Sequence, residues 1–239
     1  MKFTHSITRR AIKSYLGKKG NEMTALQKMI LGASMYCVVG YCAVGAAHAE
    51  VVAPDALIKN TVQEVIAIIK QDKDIQAGDQ KKIIALVDAK VLPHFDFARM
   101  TQLAVGRYWR SATPEQKQAL ITEFRNMLVR TYTKVFTVYR DQTVDVKPFR
   151  MAADDTEVTV KTVISKPGSQ ATPVDYEMKK SADGWKVFDI SIEGVSMVMS
   201  YRGTFASEIQ ESGIDGLIKT LSDKNTNSAA GDMVKTKAK

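Results

Sequence analysis

Beyond residue 49 the chain holds one histidine, His94, and no cysteine, because His5, His48, Cys37 and Cys42 all come earlier. That composition excludes cysteine nucleophiles and multi-histidine metal sites from the body of the protein. A Ser-His-Asp arrangement would have to use His94, which follows Pro93 and reads as a turn residue. Gly-x-Ser-x-Gly, P-loop and Gly-x-Gly-x-x-Gly spacings are missing. What remains for chemistry is Asp189 with Tyr176, which a helix-covered curved sheet could use for acid/base work. Such residues in strands serve far more often as edge or hydrogen-bonding groups. The residues therefore predict no enzyme, no metal and no cofactor.

The elements that would position Asp189 and Tyr176 centre on Trp185 to Phe205. Trp185 to Ile192 alternates, with Phe188, Ile190 and Ile192 on one side and Trp185 and Val187 on the other, as expected of a central strand. Glu193-Gly194 breaks that period. Val195, Val198, Tyr201, Arg202, Phe205 and Ile209 then recur at helical spacing. Upstream, Thr143 to Phe149, Glu157 to Ile164 and Pro173 to Lys179 also have a period of two. Lys166-Pro167-Gly168-Ser169 and Asp183-Gly184 supply turns between them. Four successive strands with short connections predict an antiparallel meander, covered on one face by helices and wet over most of the other.

Helices are expected before and after the sheet. Pro54 opens one with Ile58, Val62, Val65, Ile66 and Ile69 as its apolar stripe, and Lys81 to Leu92 reads as a second with Ile84, Val87 and Val91. A shorter helical stretch runs from Ala98 towards Trp109. Thr113-Pro114-Glu115-Gln116 carries an N-cap, a proline at the first helical position and the glutamine of a capping box. The long helix after it has Leu120, Phe124, Met127, Leu128, Val135, Phe136 and Tyr139 along one side. After the helix from Val195, Gly213 breaks the chain, and Ile214, Leu217, Ile218 and Leu221 form a closing helix. The fold class is thus α+β, with one domain over residues 50–221 and a disordered polar tail over 222–239.

Residues 1–49 read as a cleaved secretory leader. Basic residues precede an uncharged run, Met29 to Ala47, which ends in the small-residue pattern Ala47-His48-Ala49, so cleavage is expected after Ala49. An uncleaved anchor is the rival reading, since the run is just long enough to span a bilayer. The stretch before Met23 is long for such a leader, and Met23 is a candidate start. Removing the leader takes away seven Lys/Arg and one Glu, leaving 27 basic against 25 acidic residues, so the formal charge falls from +8 to +2. The mature body has no strong single-sign field and nothing that calls for a nucleic acid.

Several motifs occur in one collinear order: Pro93-x-x-Asp96-Phe97-x-x-Met100, Gly106-Arg107-Tyr108-Trp109, Ala112-Thr113-Pro114-x-Gln116, Trp185-Lys186-Val187-Phe188-Asp189, Glu193-Gly194-Val195-Ser196, Tyr201-Arg202-x-x-Phe205 and Gly213-Ile214-Asp215-Gly216-Leu217. Over Pro54 to Leu221 the set resembles the MlaC family, the periplasmic phospholipid carriers also called the toluene-tolerance family. The resemblance implies a monomeric periplasmic shuttle that holds phospholipid as cargo and helps maintain outer-membrane lipid asymmetry. Its partners would be an outer-membrane lipoprotein–porin complex and an inner-membrane ABC transporter. Acyl chains need a dry cavity, which helices splayed from a one-sided apolar sheet can provide. The expected lining is Phe136, Tyr139, Val144, Val146, Val160, Tyr176, Trp185, Val187, Val195, Met197, Val198 and Tyr201. Arg107, Lys134, Arg140 and Arg202 are the candidates for head-group or partner contact. An adaptor that binds only protein is the alternative, and it would pack sheet against helices without a void.

Overall fold

Alternation, turn residues and helix caps together account for the element order seen in a computed structural model, which describes residues 51–133 and 142–237, the side chains of 228–237 excepted. Helices α1 (Pro54–Gln71), α2 (Lys73–Gln76) and α3 (Gln80–Lys90) lead through a 3-10 turn, Leu92–His94, to α4 (Phe97–Val105). A second 3-10 turn, Gly106–Arg110, precedes α5 (Pro114–Tyr132). Strands β1 (Thr143–Val146), β2 (Glu157–Ser165), β3 (Thr172–Ser181), β4 (Gly184–Ile192) and β5 (Val195–Ser196) follow, and α6 (Met197–Lys237) comes last.

The sheet is an antiparallel meander in the order β1-β2-β3-β4-β5. The expected four strands are present, and a short fifth is added where a helix was expected to begin. Val195 and Ser196 pair with Ile192 and Ser191, so α6 starts only at Met197. The turn that makes this possible has Glu193 at φ 52° and Gly194 at φ 81°, both in the left-handed region that closes tight hairpins.

One irregularity changes which residues share a face. Opposite Glu177/Met178 the β3–β4 register shifts, so Glu177 faces Asp189 but Met178 faces Val187, and Phe188 is the extra residue of a β-bulge. Trp185 and Val187 therefore end on the same face as Ile190 and Ile192, opposite Lys180, Met178, Tyr176 and Val174 respectively. The simple alternation, which put Ile190 and Ile192 with Phe188, is corrected by that one residue.

The helices begin where their caps say. Thr113 accepts the N–H of Gln116 and the Gln116 side chain accepts the N–H of Thr113, completing the capping box of α5. Asp72, Asp79 and Asp96 cap α2, α3 and α4 in the same manner. In α3 the buried residues are Ile83, Leu86 and Val87, while Ile84 is exposed, so the expected stripe is rotated by about one residue. Helix α6 is interrupted at Gly213, whose φ of 73° only glycine adopts readily. It continues past Leu221, where a disordered tail was expected: Asn225 is buried and donates to the backbone oxygen and the carboxylate of Glu123 on α5.

Among the described residues three apolar clusters hold these elements. The largest joins α4, α5 and α6 through Met100, Leu120, Phe124, Phe205 and Leu217, with Phe188 of β4 turned into it by the bulge. In it Phe124 meets Tyr201 and Phe205 edge-on at centroid distances of 5.3 and 5.1 Å. A second packs Ile58 of α1 on Val160, Met178, Trp185 and Val187 of the sheet. The third ties α1 to α2 and α3 through Val65, Ile69, Ile75 and Ile83. Among the described residues no helix is long and apolar enough to cross a membrane. The expected leader, with Met29 to Ala47, lies outside them.

Candidate functional site

The apolar face of the sheet is shared between two uses. Near Trp185 it is closed by Ile58 and is solid core, whereas towards Val144 and Ile192 it opens into a cavity of about 280 Å³. Strand pairing places the floor: Val144 beside Ile164, Val174 beside Ile192, and Tyr176 beside Ile190, all lining the cavity with Val187. One wall is the α1 stripe, Ile58, Val62, Val65, Ile66 and Ile69, with Thr61 between. The end of α3 and the following turn add Val87, Val91, Leu92 and His94, and Phe95, Phe97 and Met100 continue that side. The last turn of α5 contributes Leu128, Val129, Tyr132 and Thr133, and Met197 enters from the start of α6. Among the described residues the walls hold no aspartate, glutamate, lysine or arginine. The volume is near the lower end of ordinary ligand pockets, about 300 Å³ upward, and the lining suits hydrocarbon.

Of the expected lining, Val144, Tyr176, Val187 and Met197 are brought to this cavity. Val160 and Trp185 are buried, and Val146 is half-buried beside them, in the solid part of the face. Val198 and Tyr201 belong to the helical core behind it. Tyr201 stands one layer back, hydrogen-bonded to Tyr132; burial first, and that bond second, push its phenol up to about 12. Val195 is 66% exposed on β5. Phe136 and Tyr139, with the cations Lys134 and Arg140, lie outside the described residues. Arg107 is exposed and donates to the Tyr108 hydroxyl at 2.8 Å, and Arg202 lies against Gly106; neither lines the cavity.

The residues that sequence reasoning misses are hidden in two ways. Strict alternation sets Ile190 and Ile192 away from Val187, because a bulge is invisible to it. The α1 stripe was legible as a stripe, but its periodicity reads the same whether it covers packed side chains or a void.

Asp189 and Tyr176 are not brought together. Register places Tyr176 opposite Ile190 on the cavity face and Asp189 opposite Glu177 on the other. The Asp189 carboxylate is taken up by structure: it accepts the N–H of Ile190 at 2.8 Å and of Val198 at 3.0 Å, and the Ser196 hydroxyl. His94 is half-buried in the cavity wall, and burial first, then the Lys186 ammonium, hold its imidazole below the usual 6.5, against a smaller opposite pull from Glu64. Among the described residues no group of three or more His, Cys, Asp or Glu is placed to hold a metal.

Fold and site define the class: an α+β protein with a meander sheet and helices around an apolar, ligand-sized cavity. The family model for the MlaC protein matches residues 59–223, and the chain belongs to the MlaC family. It is 24% identical over 185 residues to the toluene tolerance protein Ttg2D of Pseudomonas putida, covering 77% of this chain and 83% of that protein. It is 21% identical over 172 residues to the intermembrane phospholipid transport system binding protein MlaC of Haemophilus influenzae, covering 70% and 80%. A solved structure of a phospholipid-binding protein from Ralstonia solanacearum, in complex with a phospholipid, superposes with a TM-score of 0.68 at 42% identity, covering 73% of this chain and 98% of that one.

Proposed function

We propose that this protein is a non-catalytic carrier that holds the acyl chains of phospholipid in the cavity between α1, α5 and the sheet. The observation that carries this reading is the cavity itself, apolar and bounded by Val144, Tyr176, Ile190 and the α1 stripe, in a member of the MlaC family. The phospholipid held by the 42% identical Ralstonia protein supports the same cargo here. Removing hydrocarbon from water stabilises the loaded state by about 25 cal/mol for each Å² of apolar surface covered. The head group can remain in water at the mouth.

The carrier works in the periplasm after cleavage following Ala49, as a monomer. It takes up and delivers phospholipid between an outer-membrane lipoprotein–porin complex and an inner-membrane ABC transporter, and so maintains outer-membrane asymmetry. The family membership and the leader pattern support this route. Organic extraction of protein purified without detergent, followed by mass spectrometry, should return phospholipid. An extract free of it would overturn the carrier reading in favour of an adaptor for proteins. Intact mass of the periplasmic form should begin at Glu50, and recovery only in membranes with Met29 to Ala47 retained would establish an anchor instead.

A further inference from the structure

We infer that His94 makes the cavity's hold on an acyl chain depend on protons, the neutral imidazole being compatible with hydrocarbon and the imidazolium not. The inference rests on the carrier reading above and adds its regulation.

Among the described residues that line the cavity His94 is the one histidine, the side chain whose ordinary pKa lies closest to neutrality, and no aspartate, glutamate, lysine or arginine lines the cavity beside it. Its backbone is tied on both sides to β4. The Lys186 ammonium donates to the Pro93 carbonyl at 2.7 Å, and the Asp96 N–H donates to Val187 O at 2.8 Å. Phe95 also bridges to Val187. The turn that carries the imidazole is therefore fixed against β4, and His94 lines the cavity from it.

The charges around it do not rescue a proton. From β4 comes Lys186, mostly buried and paired at 2.7 Å with Asp183 of the β3–β4 turn. From α1 comes Glu64, already paired with Lys90 of α3 at 2.5 Å. Burial and Lys186 already disfavour the imidazolium. A hydrocarbon chain laid against the ring removes more of its water and disfavours the imidazolium further, so the loaded form must bind a proton less readily than the empty one. By linkage, proton uptake must then oppose loading to the same extent. For each unit by which loading lowers the His94 pKa, affinity at a pH below both values falls about tenfold.

The sign follows from the direction of the shift. Retention is complete above the empty protein's value, which already lies below the ordinary 6.5, and erodes as pH falls from there towards the still lower value of the loaded form.

The test uses the mature protein without a histidine tag, emptied of lipid and loaded with pyrene-labelled phosphatidylglycerol. Loss of label to acceptor vesicles should be several-fold faster at about pH 5 than at about pH 7.5, with far-ultraviolet circular dichroism unchanged. His94→Gln, which cannot become a cation, should lose label at the same rate at both. His94 is the sole histidine after residue 49, so its ring protons titrate alone by NMR, and their midpoint should lie lower in loaded than in empty protein. Equal midpoints, equal retention at the two pH values, or a His94→Gln variant as pH-sensitive as the parent would each overturn this inference and leave the carrier reading standing. Protein that takes up no labelled phospholipid at about pH 7.5 would overturn both.

Discussion

The carboxylate of Asp189, buried on β4, accepts the backbone N–H of Val198 at 3.0 Å in the first turn of α6. The same carboxylate accepts the Ser196 hydroxyl, while Ser196 Oγ accepts the N–H of Met199 at 3.0 Å. One acid thus joins the end of the sheet to the beginning of the last helix. Met197, which enters the cavity, lies between the two anchored positions.

Removing that acceptor should loosen the junction. Asp189→Ala leaves the Val198 N–H buried without a partner, and a loss of about 2–3 kcal/mol is expected from the unmade charge-assisted bonds. Asp189→Asn keeps one acceptor oxygen and should lose about half as much. Urea denaturation of the two variants checks both the size and the order. An alanine variant as stable as the parent would show that the cap contributes nothing.

How far such features are legible in sequence depends on whether their cause is local. The Thr113 capping box, the Asp183-Gly184 hairpin and the Gly213 break are each set by residues within a few positions of one another, and all appear where expected. The Phe188 bulge is not local: it is the β3 partner, with Glu177 and Met178 adjacent, that leaves Phe188 unmatched. Likewise Val195 has a helical spacing to Val198, yet the Glu193-Gly194 turn and pairing with Ile192 take it into a strand. The continuation of α6 depends on Asn225 meeting Glu123, about a hundred residues away in the chain, against a polar composition that reads as tail. Cavity and core draw on the same apolar residues. Val160 and Tyr176 are directly opposite one another in the sheet, one in solid packing and the other on the void.

The junction between α4 and the 3-10 turn offers a backbone test. Gly106 has φ 62° and ψ −130°, a conformation nearly closed to residues with a Cβ. A Cβ there would also stand 3.0 Å from Arg202 Nε, but that side chain is exposed and can move. Gly106→Ala should therefore destabilise by about 1–3 kcal/mol through the backbone alone. Arg202→Ala combined with it should recover little of that loss. Full recovery in the double variant would assign the cost to the steric contact instead.

The α5 cap should show a smaller effect. Thr113→Ala removes the acceptor for the Gln116 N–H, and about 1 kcal/mol is expected to be lost. Gln116 also donates to Asp215 at 2.8 Å across to α6, so Gln116→Ala should be at least as costly, because it breaks the box and that link together. Thermal unfolding of the two variants orders them, and the reverse order would remove the link from the account.

The division of one sheet face into core and cavity makes the sharpest prediction about cargo. Val160 is fully buried among Ile58, Met178, Trp185 and Val187, so Val160→Asp places an unpaired charge in solid packing and should unfold the protein or destabilise it by several kcal/mol. Ile190 is half-buried and lines the cavity two strands away in the same cross-strand row, where water can reach a carboxylate when no lipid is present. Ile190→Asp should therefore keep its helix and sheet content by circular dichroism and lose most of its copurifying phospholipid, since hydrocarbon cannot cover the ion without stripping its water. Lys161→Asp, exposed on the far face, should change neither. A folded Ile190→Asp protein that carries as much phospholipid as the parent would remove this cavity from lipid binding. Phospholipid lost equally from Lys161→Asp would show that surface charge, rather than the apolar wall, decides what is held.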